Sequence, residues 1–116
     1  MDKNIEIHIL PEVDEFLKFL AEDLIKGGYK SNLYYATKMV DDIIDFIYEI
    51  PNVVHYHIPQ KFQYHFERYG KNLQYACFKR KSSPQTTWYI FFEKKDNHLL
   101  IKHISNNLVE GQYIRE

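Results

Sequence analysis

Thr86-Thr87-Trp88-Tyr89-Ile90-Phe91-Phe92-Glu93 is the stretch on which the fold turns. It is nearly continuous in β-branched and aromatic residues, which suit a pleated strand. Its apolar residues occupy both parities. Side chains on a strand alternate between faces, so this strand is predicted to lie centrally in its sheet with both faces covered. Working outward, Leu73 to Lys81 alternates loosely and reads as a strand, and Ser82-Ser83-Pro84-Gln85 has turn chemistry. On the other side, Lys94 to His98 reads as a polar turn. Leu99 to Ile104 is the next strand and runs out at Ser105-Asn106-Asn107. Gly111 to Ile114 is expected as a last short strand or tail.

The first half has a different rhythm. Ile5, Ile7 and Ile9 alternate with Glu6 and His8, which predicts a short strand with one face inward. Pro11 fits the first position of a helix, where its missing N–H is not needed. Glu12, Asp14 and Glu15 suit the positive end of the helix dipole. Val13, Phe16, Leu17, Leu20 and Leu24 then recur at helical spacing. Gly27-Gly28 supply the stop, through a left-handed C-cap. Ser31 or Asn32 is the expected N-cap of a second helix with Ala36, Met39, Val40, Ile43, Ile44 and Ile47 inward. Pro51 ends it. The short link between the helices predicts an antiparallel hairpin. From Pro51 to Asn72 no period dominates, and Lys61 to Tyr69 reads equally as a helical turn or an irregular strand. The order is β-α-α-β-β-β, an α+β fold with a helical hairpin packed on a mainly antiparallel sheet.

Length and composition agree with one domain spanning 1–116. With 45% apolar residues, one Trp, ten Tyr and eight Phe, the chain is able to build a core. No apolar run is long enough to span a membrane, and the start lacks a signal-peptide core. The single cysteine, Cys77, allows neither an internal disulfide nor a multi-Cys zinc site, so a reducing cytoplasm is the expected location. Phosphate-loop, dinucleotide and GxSxG patterns are absent. The net charge of −1 conceals an asymmetry. Residues 1–58 carry five Lys against eleven Asp or Glu, so −6, and residues 59–116 carry ten Lys or Arg against five Asp or Glu, so +5. That division directs attention to an anionic partner for the second half.

Candidate site residues concentrate there. Lys61, Arg68, Lys71, Lys79, Arg80 and Lys81 stand against Glu67 alone between residues 59 and 81. Tyr64, Phe66, Tyr69 and Tyr75 lie among them. Interleaved cations and aromatics are able to hold phosphates and stack on unpaired bases. The competing reading makes the aromatics core and the lysines solvated edges. Lys79 and Lys81 are expected on one face by strand alternation. His103 reads first as a hydrogen-bonded core histidine and second as a candidate acid or base near neutral pH. Asn106 and Asn107 are candidate contacts or simple turn residues. His55, His57 and His65 lack a nearby carboxylate or cysteine, so they read as surface histidines and no metal or cofactor is expected. Cys77 and Trp88 read as packing residues, and Asp41, Asp42, Asp45 and Glu49 as a solvated helix face.

Lys79-Arg80-Lys81, Thr86 to Phe92, His103 to Asn107 and Tyr113, in this element order, resemble the RelE/ParE superfamily of toxin–antitoxin toxins. The resemblance covers nearly the whole chain. It implies a toxin held by a cognate antitoxin, and either metal-independent mRNA cleavage on the ribosome or, in ParE-like relatives, inhibition of DNA gyrase. It implies that Lys79 and Lys81 stabilise the phosphate and that Tyr113 handles a proton. The residues themselves, beside the resemblance, offer His103 as a further acid or base and Lys61, Arg68, Lys71, Arg80, Asn106 and Asn107 as RNA-binding candidates. Two arginines of the RelE pattern are missing, with Thr86-Thr87 and Asn106-Asn107 in their places. Their loss keeps open a non-catalytic binding module on the same fold. A homodimer also stays open.

Overall fold

Alternation at residues 5–9 and Pro11 define the first two elements as expected. In the computed structural model, which describes residues 4–27 and 33–109 apart from the Leu24 side chain, β1 is Glu6–Ile9 and α1 is Pro11–Lys26. The carbonyl of Leu10 accepts the N–H groups of Val13 and Asp14 at 2.9 Å, which starts the helix without a side-chain cap. Gly27 ends α1 with φ −81°, so the left-handed cap expected at this glycine does not form. Gly28 and the N-cap candidates Ser31 and Asn32 lie outside the described residues. The second helix, α2, is Leu33–Glu49, and Pro51 sits in a 3₁₀ turn at Ile50–Asn52.

The region without a clear period resolves into short pieces. Here β2 is Tyr56–His57, a 3₁₀ turn covers Gln60–Phe62, α3 is Gln63–Phe66, and a second 3₁₀ turn covers Glu67–Tyr69. Then come β3 (Gln74–Arg80), β4 (Ser83–Lys95) and β5 (His98–Asn106). The sheet order is β1-β5-β4-β3-β2, with β1 parallel to β5 and every other pair antiparallel. The α+β class, the helical hairpin and the central place of β4 match the expectation. The extra strand β2 and the helical pieces after it depart from the simple β-α-α-β-β-β order.

Both faces of β4 are covered, by different layers. Trp88, Ile90 and Phe92 face the helices, together with Ala76 of β3 and Leu99, Ile101 and Ile104 of β5. Val13, Leu17 and Leu20 of α1 and Met39, Val40, Ile43 and Ile47 of α2 complete this core. On the opposite face, Tyr89, Phe91 and Tyr75 pack with Ile58, Phe66 and Leu73. Two irregularities make the pattern work. Phe91 pairs with His103 but Phe92 with Ile101, so Lys102 is an extra residue in β5. The bulge reverses the alternation and lets Ile101 and Ile104 both face the helices. On the other edge of β4, Lys79 pairs with Thr87 but Arg80 with Ser83. Pro84, Gln85 and Thr86 bow out of the ladder, where Pro84 loses no bond. The strand therefore begins at Ser83, and the turn shrinks to Lys81-Ser82.

Gly70 closes the second layer. It has φ +149° and ψ 167°, a region open essentially to glycine alone. A Cβ there would also meet the end of the Glu93 side chain, which would have to move aside. Gly70→Ala is expected to cost about 1–3 kcal/mol, read as a lower urea midpoint. An unchanged midpoint would contradict the constraint.

Candidate nucleic-acid interface

The end of β3 distributes its three cations to three different surroundings. Lys79 shares the parity of Tyr75 and Cys77, so it lies on the second-layer side of the sheet, and it is exposed. Lys81 is exposed in the turn. Because the strand ends at Arg80, alternation no longer aligns Lys81 with Lys79 as expected. Arg80 points the other way. Its Nε donates to Asp42 Oδ2 of α2 at 2.8 Å, and its side chain is 8% exposed. Its Nη1 is buried without a partner. Arg80 is thereby turned inward, away from the exposed cations. A charge-assisted bond to a helix carboxylate holds it there.

The short helical pieces present the other cations. Lys61 lies over the Phe62 ring at 5.2 Å and Arg68 over Tyr69 at 5.0 Å, both within cation–π range. Lys61 and Arg68 border one shallow groove with Tyr64 and His65. Lys71 borders a second of about 670 Å³, together with Gln74 and Lys94. Tyr64 and Glu67 belong to both grooves. Tyr64 is 87% exposed, which leaves its ring open for stacking. Phe66 and Tyr75 are buried and serve the core. Lys94 is not a candidate in the sequence because it lies near the end of β4, far from the 59–81 cluster. Only the folded sheet brings it to Lys71.

His103 sits on the second-layer face. Tyr69 stacks on it with ring centroids 3.8 Å apart and planes at 10°, and Phe91 lies behind at 5.4 Å. It is partly buried. Its position relative to Lys79 follows from register. Lys79 pairs with Thr87, and His103 pairs with Phe91. Two strand spacings and four residues along β4 place the two backbones about 16 Å apart. Lys79 and His103 therefore do not meet at one phosphate.

The two asparagines are engaged locally. Asn106 Oδ1 accepts the N–H groups of Leu108 at 2.9 Å and Val109 at 3.2 Å, as the cap of a helical turn. Asn107 Oδ1 accepts the Thr87 N–H at 2.9 Å, and its Nδ2 donates to the Gln85 carbonyl at 3.1 Å. The Asn107 carboxamide thereby ties the bowed part of β4 to the end of β5. Both side chains are bonded to the backbone. Tyr113 and the expected strand or tail at 111–114 lie outside the described residues.

The three histidines of the irregular region serve separate roles. His55 Nε2 donates to the Ile50 carbonyl at 2.7 Å, which assigns its proton to Nε2, and its ring meets Phe92 edge-on. His57 is exposed on β2, and His65 stands edge-on to Phe66. Among the described residues, Lys61, Arg68, Lys71, Lys79 and Lys81 remain as solvent-facing cations of the 59–81 cluster, with Glu67 the single acid between them. No described helix is long and apolar enough to cross a membrane. Compared with known protein families, curated proteins and solved structures, the chain matches none.

Proposed function

We propose that this protein is the inhibitory component of a toxin–antitoxin pair and that it acts by holding RNA on the basic surface of residues 59–81. The observation that carries this reading is the set of five solvent-facing cations in residues 59–81 with one acidic residue among them, three of which, Lys61, Arg68 and Lys71, border the grooves that hold the exposed ring of Tyr64. Lys and Arg on such a surface neutralise phosphates and release counterions. An exposed tyrosine stacks on unpaired bases without sequence preference. The resemblance to RelE/ParE toxins supplies the class, and a cognate antitoxin belongs to the proposal.

The geometry favours holding over cutting. Ribose-directed cleavage needs a base, an acid and cationic stabilisation converging on one phosphate. Lys79 and His103 are too far apart for that, and His103 is stacked under Tyr69. A second reading, metal-independent mRNA cleavage by Lys79 and Lys81 with Tyr113, is favoured by the exposure of both lysines at the hairpin.

Induced expression followed by mapping of RNA ends separates the readings. The expected result is slowed growth without codon-positioned cuts, relieved by Lys79→Ala with Lys81→Ala. Codon-positioned cuts lost in that double variant would establish the endonuclease instead. Growth arrest with supercoiling defects and intact translation would place the target at DNA gyrase.

A further inference from the structure

The outer end of the sheet, which the second layer leaves uncovered among the described residues, carries a second chemistry, independent of the basic surface. Ile5, just before β1, and Ile7 and Ile9 on it pack toward the helices, so Glu6 and His8 project from the opposite face. The second-layer core includes no residue of β1. Parallel pairing sets His98, the first residue of β5, directly beside Glu6. Three ligand-type side chains, two from β1 and one that follows His8 by 90 residues, thereby meet on one exposed patch. Their side chains are 66%, 49% and 45% exposed for Glu6, His8 and His98.

The donor atoms form a small triangle. His8 Nε2 lies 2.9 Å from His98 Nδ1. Glu6 Oε1 lies 3.5 Å from His8 Nε2 and 3.6 Å from His98 Nδ1. An ion about 2.0–2.1 Å from all three atoms, the usual zinc–nitrogen and zinc–oxygen distance, fits just off the plane of this triangle. The outer side stays open for water. Two imidazoles and one carboxylate are a donor set preferred by zinc and neighbouring divalent transition metals over calcium or magnesium.

We propose that Glu6, His8 and His98 bind one divalent transition-metal ion, with zinc as the type. His8 coordinates through Nε2 and keeps its proton on Nδ1. His98 coordinates through Nδ1 and keeps its proton on Nε2. The ion takes the place of the hydrogen bond between the two neutral rings, whose proton moves to the other nitrogen of its ring through exchange with water, so none is lost. Its structural effect is to fasten the edge strand β1, four residues long and paired to β5 alone, onto the sheet. The sequence conceals this site, because Glu6-x-His8 looks like the polar face of an ordinary strand until β5 is placed beside it.

The test is calorimetric titration of the full chain with zinc chloride, after chelator treatment, alongside thermal unfolding with and without the metal. One equivalent should bind and raise the unfolding temperature, since a ligand of the native state stabilises it. His8→Ala with His98→Ala should lower affinity by more than about tenfold, because even outer partners of metal ligands are worth about 10–100-fold. Circular dichroism checks that this variant folds. Should it not fold, the near-isosteric Glu6→Gln decides, with weakened binding in the folded protein expected. No binding at micromolar zinc overturns the site. So does binding unchanged in these variants, which would place the metal on His55, His57, His65 or Cys77.

Discussion

Phe91→Ala is expected to destabilise the protein by about 3–5 kcal/mol, the range for truncating a buried aromatic ring. Phe91 is fully buried at the centre of the second face. Its ring stacks with Phe66 at 5.0 Å and His103 at 5.4 Å, and lies 5.8 Å from Tyr75. Alanine would remove the surface on which the short helical layer rests and leave a cavity between layer and sheet. Urea denaturation should show a lower midpoint with little change in slope. The functional consequence is indirect. Lys61, Tyr64 and Arg68 ride on that layer, so RNA affinity should fall although residue 91 never reaches solvent. Phe62→Ala, at the partly buried margin, should cost less. A loss below about 1 kcal/mol at Phe91, small for this class of substitution, would mean that the layer does not depend on this ring.

The second large effect concerns the one cation of the cluster that turns inward. Asp42→Ala is expected to cost about 2–3 kcal/mol, less than for a fully buried pair because the Asp42 carboxylate is partly exposed. Most of that cost is the Arg80 guanidinium left buried without its carboxylate. Lys38 also reaches Asp42, at 3.8 Å, but it is an exposed i,i+4 pair worth little. Arg80→Met should cost less than Asp42→Ala, because it removes the charge and keeps much of the volume. Combining the two should recover most of the stability lost in Asp42→Ala alone. Arg80→Met should also leave RNA affinity unchanged, which separates a structural arginine from an RNA contact. Weakened RNA binding in this variant, with the fold intact, would return Arg80 to the interface.

Much of the architecture was legible because its signals are local. The isoleucine alternation at residues 5–9, Pro11 and the helical spacing from Val13 to Leu20 all read directly into elements. The double-sided apolar run at 88–92 announced a strand covered on both faces. The second covering layer was harder to see. Phe62, Phe66 and Tyr69 do carry helical spacing, but Pro59 and Gly70 confine them to single turns, so no period of useful length accumulates. Bulges hid two further facts. The extra residue Lys102 puts Ile101 and Ile104 on one face, against simple alternation. The bowed residues 84–86 let Ser83 join the strand despite the following proline.

The candidate site was legible in composition and illegible in direction. A count of charges marks residues 59–81, but it does not tell that Arg80 reaches inward to Asp42 while Lys79 faces outward. Nor does it separate Tyr64, which is exposed, from Phe66 and Tyr75, which fill the core. Asn106 and Asn107 show the same limit. Turn chemistry suggested their place, and the bonds they make to the backbone explain it better than a ligand does. Register across the sheet decides which residues share a site, and register is a long-range property.

Binding of a labelled single-stranded RNA oligonucleotide, measured over a series of salt concentrations, tests the central claim most directly. Each phosphate neutralised on a single strand contributes about −0.7 to the slope of log affinity against log salt. Wild type should bind at low salt with a slope near −3, about four contacts from the five exposed cations. Lys61→Ala, Arg68→Ala and Lys79→Ala together should make the slope shallower by about 2 while circular dichroism stays unchanged. Absence of binding at low salt, or a slope unaltered in the triple variant, would contradict RNA recognition by this surface.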